Sequence, residues 1–151
     1  MDFSYITDDL LIGSMPSLDG YTRLHELGVR LVLNMRFMRY LPLGMENPPC
    51  RVLWLRTIDS PFSPIPFKVL ARGVDAALEV IGQGGKVFTH CAYGRHRSVA
   101  MGAAILIAQG FTAHAAMDLI KQQRPAADPD IFYIKQRILL FARQWQRQLP
   151  A

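Results

Sequence analysis

The chain has 151 residues, half of them hydrophobic, with 17 Lys and Arg against 12 Asp and Glu for a formal net charge of +5. That length suits a single domain, read here as residues 1–151, and so apolar a chain is not disordered, since disorder needs low hydrophobicity and a large charge imbalance. Two cysteines, Cys50 and Cys91, are too few for a disulfide scaffold, and the moderate positive charge favours anionic partners without naming one.

The N-terminus has acidic residues where a secretory signal would have basic ones and lacks an apolar core, so a soluble, cytoplasmic protein is expected. Residues 10–13 read as a short strand. Ser17 can cap a helix through Leu27, with Gly28 ending it. Residues 29–35 are β-branched and aliphatic and read as a buried strand. Residues 36–49 carry Pro42, Gly44, Pro48 and Pro49 and read as a loop, and residues 51–57 as another strand. Three prolines keep residues 60–66 irregular. An apolar stripe of Val69, Leu70, Val74, Ala77, Leu78 and Ile81 predicts the next helix, stopped by Gly82, Gly84 and Gly85. Residues 86–90 form a strand running straight into Cys91. Residues 97–109 form a helix that is apolar nearly all round and therefore buried; its apolar run, 99–108, is too short to span a bilayer. Thr112 caps a helix to Gln123, stopped by Pro125. The last helix covers about residues 129–148, with Asp128 or Asp130 as its N-cap. This order predicts an α/β fold, a mainly parallel sheet of about five strands with helices on both faces and residues 86–90 central.

The chemistry concentrates at His90-Cys91-Ala92-Tyr93-Gly94-Arg95-His96-Arg97-Ser98, between a buried strand and a buried helix. The first turn of a helix offers unpaired N–H groups and positive dipole potential, and a loop of successive N–H groups can wrap a phosphate. Residues Ala92, Tyr93, Gly94, Arg95 and His96 supply that loop, and Gly94 lets it bend. Arg97 places a planar fork at the helix start, able to bind two phosphate oxygens. Cys91 lies at the floor, where the same donors that favour phosphate favour a thiolate. Attack of that sulfur on phosphorus gives a phosphocysteine intermediate.

Cys91-x5-Arg97, preceded by His90 and followed by Ser98, resembles the signature of the cysteine-based protein tyrosine phosphatases. The short chain is most similar to the small atypical dual-specificity phosphatases. Residues 5–14 resemble that family's opening hairpin, residues 30–35 the strand after its first helix, residues 85–91 its central strand, and Gln123-Arg124-Pro125 its Arg-Pro turn. The resemblance implies the dual-specificity phosphatase fold and hydrolysis of phosphotyrosine, phosphoserine or phosphothreonine. It implies a role for Asp59, 32 residues before Cys91, as the acid that protonates the leaving group. It places the Ser98 hydroxyl on the departing sulfur and makes His90 a support for the loop.

Other readings stand beside these. Arg95 and His96 can point to solvent at the pocket rim, or select highly anionic substrates such as phosphoinositides or RNA 5′-phosphates. Arg36 and Arg39 widen that rim if their loop folds near. An inactive phospho-binding module is a third reading, although nucleophile, arginine and acid are all in place. The basic residues are scattered rather than gathered into a nucleic-acid stripe. Cys50 reads as an ordinary thiol; a bridge to Cys91 needs Cα atoms within about 7 Å. No cofactor is implied, and His90, Cys91 and His96 lack a second ligand pair at zinc spacing. The partners expected are a phosphorylated protein or another phosphoester, and the expected state is a monomer.

Overall fold

A computed structural model describes residues 1–39, 41, 42 and 44–150. Tyr40 and Leu43, within the loop read over residues 36–49, and Ala151, at the end of the domain reading, lie outside the described residues. The elements are β1 (Phe3–Tyr5), β2 (Leu10–Gly13), α1 (Leu18–Glu26), β3 (Val29–Asn34), β4 (Arg51–Trp54), α2 (Phe67–Gly82), β5 (Lys86–His90), α3 (Arg97–Ala108), α4 (Ala113–Gln123) and α5 (Phe132–Gln148).

The strands form one sheet in the order β1-β2-β5-β3-β4, with β5 central. All neighbours are parallel except β1, which pairs antiparallel with β2. Side chains alternate between its faces, as the two-residue period of a strand requires. Leu10, Ile12, Leu31, Leu33 and Val87 face a large core built with α2 to α5. Leu11, Val29, Val32 and Phe88 face a smaller one that includes Tyr21 and Leu24 of α1. Val29 and Leu31 fall on opposite faces because the β3–β5 register slips between them, a bulge that turns one residue out of alternation.

The capping residues behave as their chemistry predicts. Ser17 Oγ accepts from Gly20 N–H at 3.1 Å, Thr112 Oγ1 accepts from Ala115 N–H at 3.1 Å, and Gly28 takes φ of +98° after α1. Helix α3 is the hub: 11 of its 12 residues are buried. A Cβ on Gly102 would come within 2.6 Å of Ile12 Cδ1, so glycine lets α3 lie close against β2. Met101 packs against the small surface at Gly73 of α2.

Two expectations are corrected. The strand expected over residues 51–57 stops at Trp54. Leu55 N–H still reaches Asn34 O at 2.8 Å, but Thr57 then turns its carbonyl to Arg97 and its hydroxyl to Met35 O, so these residues leave the sheet to serve the site. The last helix begins at Phe132, and neither Asp128 nor Asp130 caps it; its N-cap is Ile131, without a side-chain bond. Asp130 instead pairs with Lys121 at 3.1 Å and Lys135 at 3.9 Å, and the Asp128 N–H bonds the carbonyl of Arg95. Cys50 is buried in the α1-face core, across the sheet from Cys91, and both thiols are free. No described helix is long and apolar enough to cross a membrane.

The α2–α3 contact should carry much of the stability. Met101 is fully buried, so Met101→Ala is expected to cost about 2–5 kcal/mol in urea unfolding; a loss below about 1 kcal/mol would place the main core elsewhere.

Candidate active site

Strand β5 ends at His90 and α3 begins at Arg97, so residues 91–96 form a loop at the carboxyl end of the central strand. Crevices at such strand ends are where open α/β sheets bind ligands. The loop's direction is set from behind. Arg124, 3% exposed, donates from Nε to Gly94 O at 2.8 Å and from Nη2 to Tyr93 O at 3.2 Å. Asp128 N–H donates to Arg95 O at 2.9 Å. In a trans peptide the C=O and the next N–H point in opposite directions. Tying three successive carbonyls outward therefore turns the N–H groups of Gly94, Arg95 and His96 inward. Arg124 is neutralised by Asp2, whose two carboxylate oxygens accept at 3.0 and 2.8 Å. These bonds hold the Asp2 carboxyl below its usual range.

Gly94 is required twice over. Its φ is +66°, and a Cβ there would lie 2.6 Å from Arg124 Nη2 and 2.7 Å from the Gly13 carbonyl.

Cys91 is 3% exposed. Its Sγ lies 3.2 Å from Ser98 Oγ. Burial pushes the thiol up, but the Ser98 hydroxyl and N–H, the Arg97 guanidinium and the Gly94 N–H together outweigh it and bring the thiol below its ordinary value. Arg97 is buried, and its Nη1 donates to Met35 O at 3.1 Å and Thr57 O at 2.9 Å. Its Nε finds no partner among the described residues. A buried, orphaned guanidinium N–H is costly unless something else accepts from it, so Nη1 anchors the fork and Nε is left for an anion.

His90 is fully buried and stacked on Phe88, with Nδ1 3.4 Å from Cys91 O. A carbonyl only accepts, so that nitrogen carries the proton. Burial, with Arg36 and Arg97 nearby, pushes the ring down to about 4, against the opposing bond to Cys91 O, so it is neutral at pH 7.

A pocket of about 220 Å³ is lined by Asp59, Cys91, Ala92, Tyr93, Arg95, His96 and Arg97. Residues scattered from 59 to 97 thus meet at one opening. Arg36 and Arg39 are not among its lining residues. A cavity of about 340 Å³ between the end of α3 and α5 has no titratable side chain in its wall, and one of about 490 Å³ is lined by Arg56, Lys68 and Arg72 without a thiol or carboxyl, whereas the 220 Å³ pocket brings a thiol, a carboxyl and guanidinium groups together. Among the described residues no group of three His, Cys, Asp or Glu is placed to hold a metal ion.

Asp59 faces Cys91 across this pocket and is held on both oxygens. Tyr133 OH donates to Oδ1 at 2.7 Å, and His96 Nδ1 lies 2.9 Å from Oδ2. Burial raises the Asp59 carboxyl, but His96, Tyr133 and Arg97 more than reverse this and leave it below the usual range. Tyr133, pushed up to about 12 by burial and by Asp59, stays protonated as the donor. His96 therefore faces Asp59 rather than solvent, while Arg95 is exposed at the pocket edge. Sequence reasoning missed Thr57 and Tyr133 as parts of the site, and noted Asp128 only as a candidate N-cap and Arg124 only as part of a turn. For Arg124 a signal existed: an arginine between a helix end and a proline. The other three carry no local signature.

The fold, with its central strand, anion loop and buried helix, can now be compared with known structures. Human DUSP28 superposes with a TM-score of 0.85 at 22% identity, over 97% of this chain and 99% of that one. PTPMT1 superposes with a TM-score of 0.85 at 24% identity, over 97% of each chain. The chain has the dual-specificity phosphatase fold. A human tyrosine phosphatase-like serine/threonine/tyrosine-interacting protein shares it at 17% identity, with a TM-score of 0.77 over 96% of this chain and 95% of that one. In sequence, 64 residues are 39% identical to dual specificity protein phosphatase 1 of Arabidopsis thaliana, a match taking in 42% of this chain and about a third (32%) of that protein. No protein-family model matches the chain.

Ser98 supplies the leading donors to the sulfur. Ser98→Ala is therefore expected to raise the pH at which Cys91 ionises, read from ultraviolet thiolate absorbance or from alkylation rate against pH. An unchanged midpoint would remove Ser98 from thiolate stabilisation.

Proposed function

We propose that this chain is a cysteine-dependent phosphatase acting on phosphate monoesters of proteins. The carrying observation is a thiol lowered by Ser98, Arg97 and the loop N–H groups that opens into the same pocket as a buried arginine with an unpartnered Nε. Such a site favours two anions face to face: the Cys91 thiolate and a bound phosphate dianion.

The reading assigns the steps as follows. Loop N–H groups and Arg97 take the phosphate oxygens. Cys91 Sγ attacks phosphorus, the S–P bond forms, and the bond to the leaving oxygen breaks. Asp59 gives that oxygen a proton. Water then attacks phosphorus and loses a proton to Asp59; the S–P bond breaks and the thiolate returns beside the Ser98 hydroxyl. Positioning and neutralisation of the phosphate oxygens supply most of the rate. A bound dianion opposes a carboxylate beside it and so favours the protonated Asp59 that the first step needs. His90, neutral and beneath the loop, acts as a support.

One observation supports protein substrates as the first choice: the opening is edged by exposed Tyr93, an aromatic side chain that a peptide carrying the phosphate can pack against. A reducing compartment such as the cytoplasm would keep Cys91 usable. Purified protein should hydrolyse an aryl phosphate without added metal, and Cys91→Ser should abolish turnover. Asp59→Ala should slow it about 10²–10⁴-fold. Metal-dependent activity that survives Cys91→Ser would overturn the mechanism.

The pH profile follows from the signs of the two shifts. Cys91 must be ionised, and its lowered pKa moves the acidic limb of kcat/KM down. Asp59 must be protonated, and its lowered pKa moves the basic limb down as well. The optimum is expected on the acid side of neutrality, and Asp59→Asn should flatten the basic limb; a basic limb that persists in that variant would assign it to another group.

A second reading has one supporting observation. Arg95 lies at the pocket edge, exposed and with no side-chain bond to any described residue, and would meet a second anionic group on a substrate. One solved structure of PTPMT1 is a complex with PI(5)P, which fits a phosphoinositide substrate here. Rates on phosphopeptides, inositol phosphates and RNA 5′-phosphates, compared with and without Arg95→Ala, separate these; unchanged rate ratios would remove this reading. Binding without turnover would instead favour a phospho-binding module.

A further inference from the structure

Asp59 opens a segment with three prolines, residues 60–66, that has no strand or helix to hold it. The side chains bonded to its carboxyl come from two other elements: His96 from the phosphate loop and Tyr133 from α5. His96 is itself braced. Its Nε2 lies 4.0 Å from Asp128 Oδ2, its ring meets the edge of Tyr133 at 5.9 Å, and Asp128 N–H holds the carbonyl of neighbouring Arg95. The groups facing it are thus Asp59, Asp128 and Tyr133, with the Arg97 guanidinium acting on the same Asp59.

We infer that His96 is a positioning residue for the proton donor, holding Asp59 Oδ2 over the phosphate loop and sharing with it the proton that the leaving oxygen takes. This rests on the reading of Asp59 as that donor.

The 2.9 Å contact has two forms of the same total charge. In one, Nδ1–H donates to a carboxylate; in the other, Asp59 O–H donates to a bare Nδ1. Asp128 beside Nε2 favours a proton on that nitrogen, which leaves Nδ1 free to accept. Without a substrate, the charges around Asp59 favour the carboxylate. When a phosphate dianion fills the loop, it opposes that carboxylate and presses the shared proton onto Oδ2. As the S–P bond forms and the P–O bond breaks, the electron pair left on the leaving oxygen takes that proton. In the second step water supplies its replacement. Tyr133 keeps the other oxygen occupied, so the carboxyl cannot rotate away.

The test compares phenyl phosphate, whose leaving oxygen needs a proton, with dinitrophenyl phosphate, whose leaving oxygen does not. His96→Ala is expected to lower kcat/KM, which reports only the steps up to transfer to sulfur, about 10–100-fold on phenyl phosphate, as misplacement of a catalytic group does, and by less than about 3-fold on dinitrophenyl phosphate. In an Asp59→Asn background the same change should cost under about 2-fold, because the two residues act as one unit. His96→Gln, which keeps volume in the loop but places its amide near Nε2, should resemble His96→Ala and serves if the alanine variant does not fold. His96→Asn, whose amide can turn its N–H to the Asp59 carboxylate or its oxygen to the Asp59 O–H at the Nδ1 place, should restore a large part of the phenyl phosphate rate. Equal losses on both substrates, or an undiminished loss without Asp59, would overturn the role of His96 alone. An Asp59→Asn enzyme with unchanged leaving-group dependence would overturn the acid assignment and this inference together.

Discussion

The site depends on where three peptide carbonyls point. Arg124 and the Asp128 amide pull the oxygens of Tyr93, Gly94 and Arg95 away from the pocket, and planarity of the peptide sends the following N–H groups into it. The positive lining of the pocket is thus made of backbone dipoles fixed before any ligand arrives. This is why a buried guanidinium is tolerated at Arg124: it is fully bonded, to Asp2 on one side and to the loop on the other. An uncompensated charge at that depth would cost several kcal/mol.

Around that frame, charge alternates over a short span. Burial alone would keep Cys91 protonated, yet donors from the start of α3 and the Arg97 charge reverse the balance. Arg97 is half committed: Nη1 is spent on the carbonyls of Met35 and Thr57, which fixes the fork and leaves Nε unpartnered. Asp59 is pulled the same way as Cys91, toward its anion, by His96, Tyr133 and Arg97. Two groups that both ionise easily can serve opposite roles only if substrate charge separates them. Under the proposed mechanism a dianion between them would do this, bound by the donors that hold the thiolate and repelled by the carboxylate.

The fold serves these positions at modest cost in regular structure. Strand β4 stops short so that Thr57 can bond Arg97, and the start of α5 goes without a side-chain cap while Asp128 ties down the loop. Both are places where a local rule yields to a bond made across the chain, as expected near functional sites.

The sequence alone determined whatever depends on near neighbours. The strand running into Cys91 and the helix apolar nearly all round were legible as β5 and α3, Ser17 and Thr112 marked helix starts, and Cys91-x5-Arg97 marked the loop between them as the candidate site because its parts lie within eight residues of one another. The resemblance carried by those residues also reached Asp59. Tertiary structure decided the rest, namely that Thr57 holds Arg97, that Asp2 neutralises Arg124, and that Tyr133 and His96 converge on Asp59. These partners are separated by between 37 and 122 positions along the chain. Hydrogen bonds and charge act through ångströms of space, which local patterns of residue type do not encode, so only the packed chain could choose among many equivalent Asp, Thr and Tyr side chains.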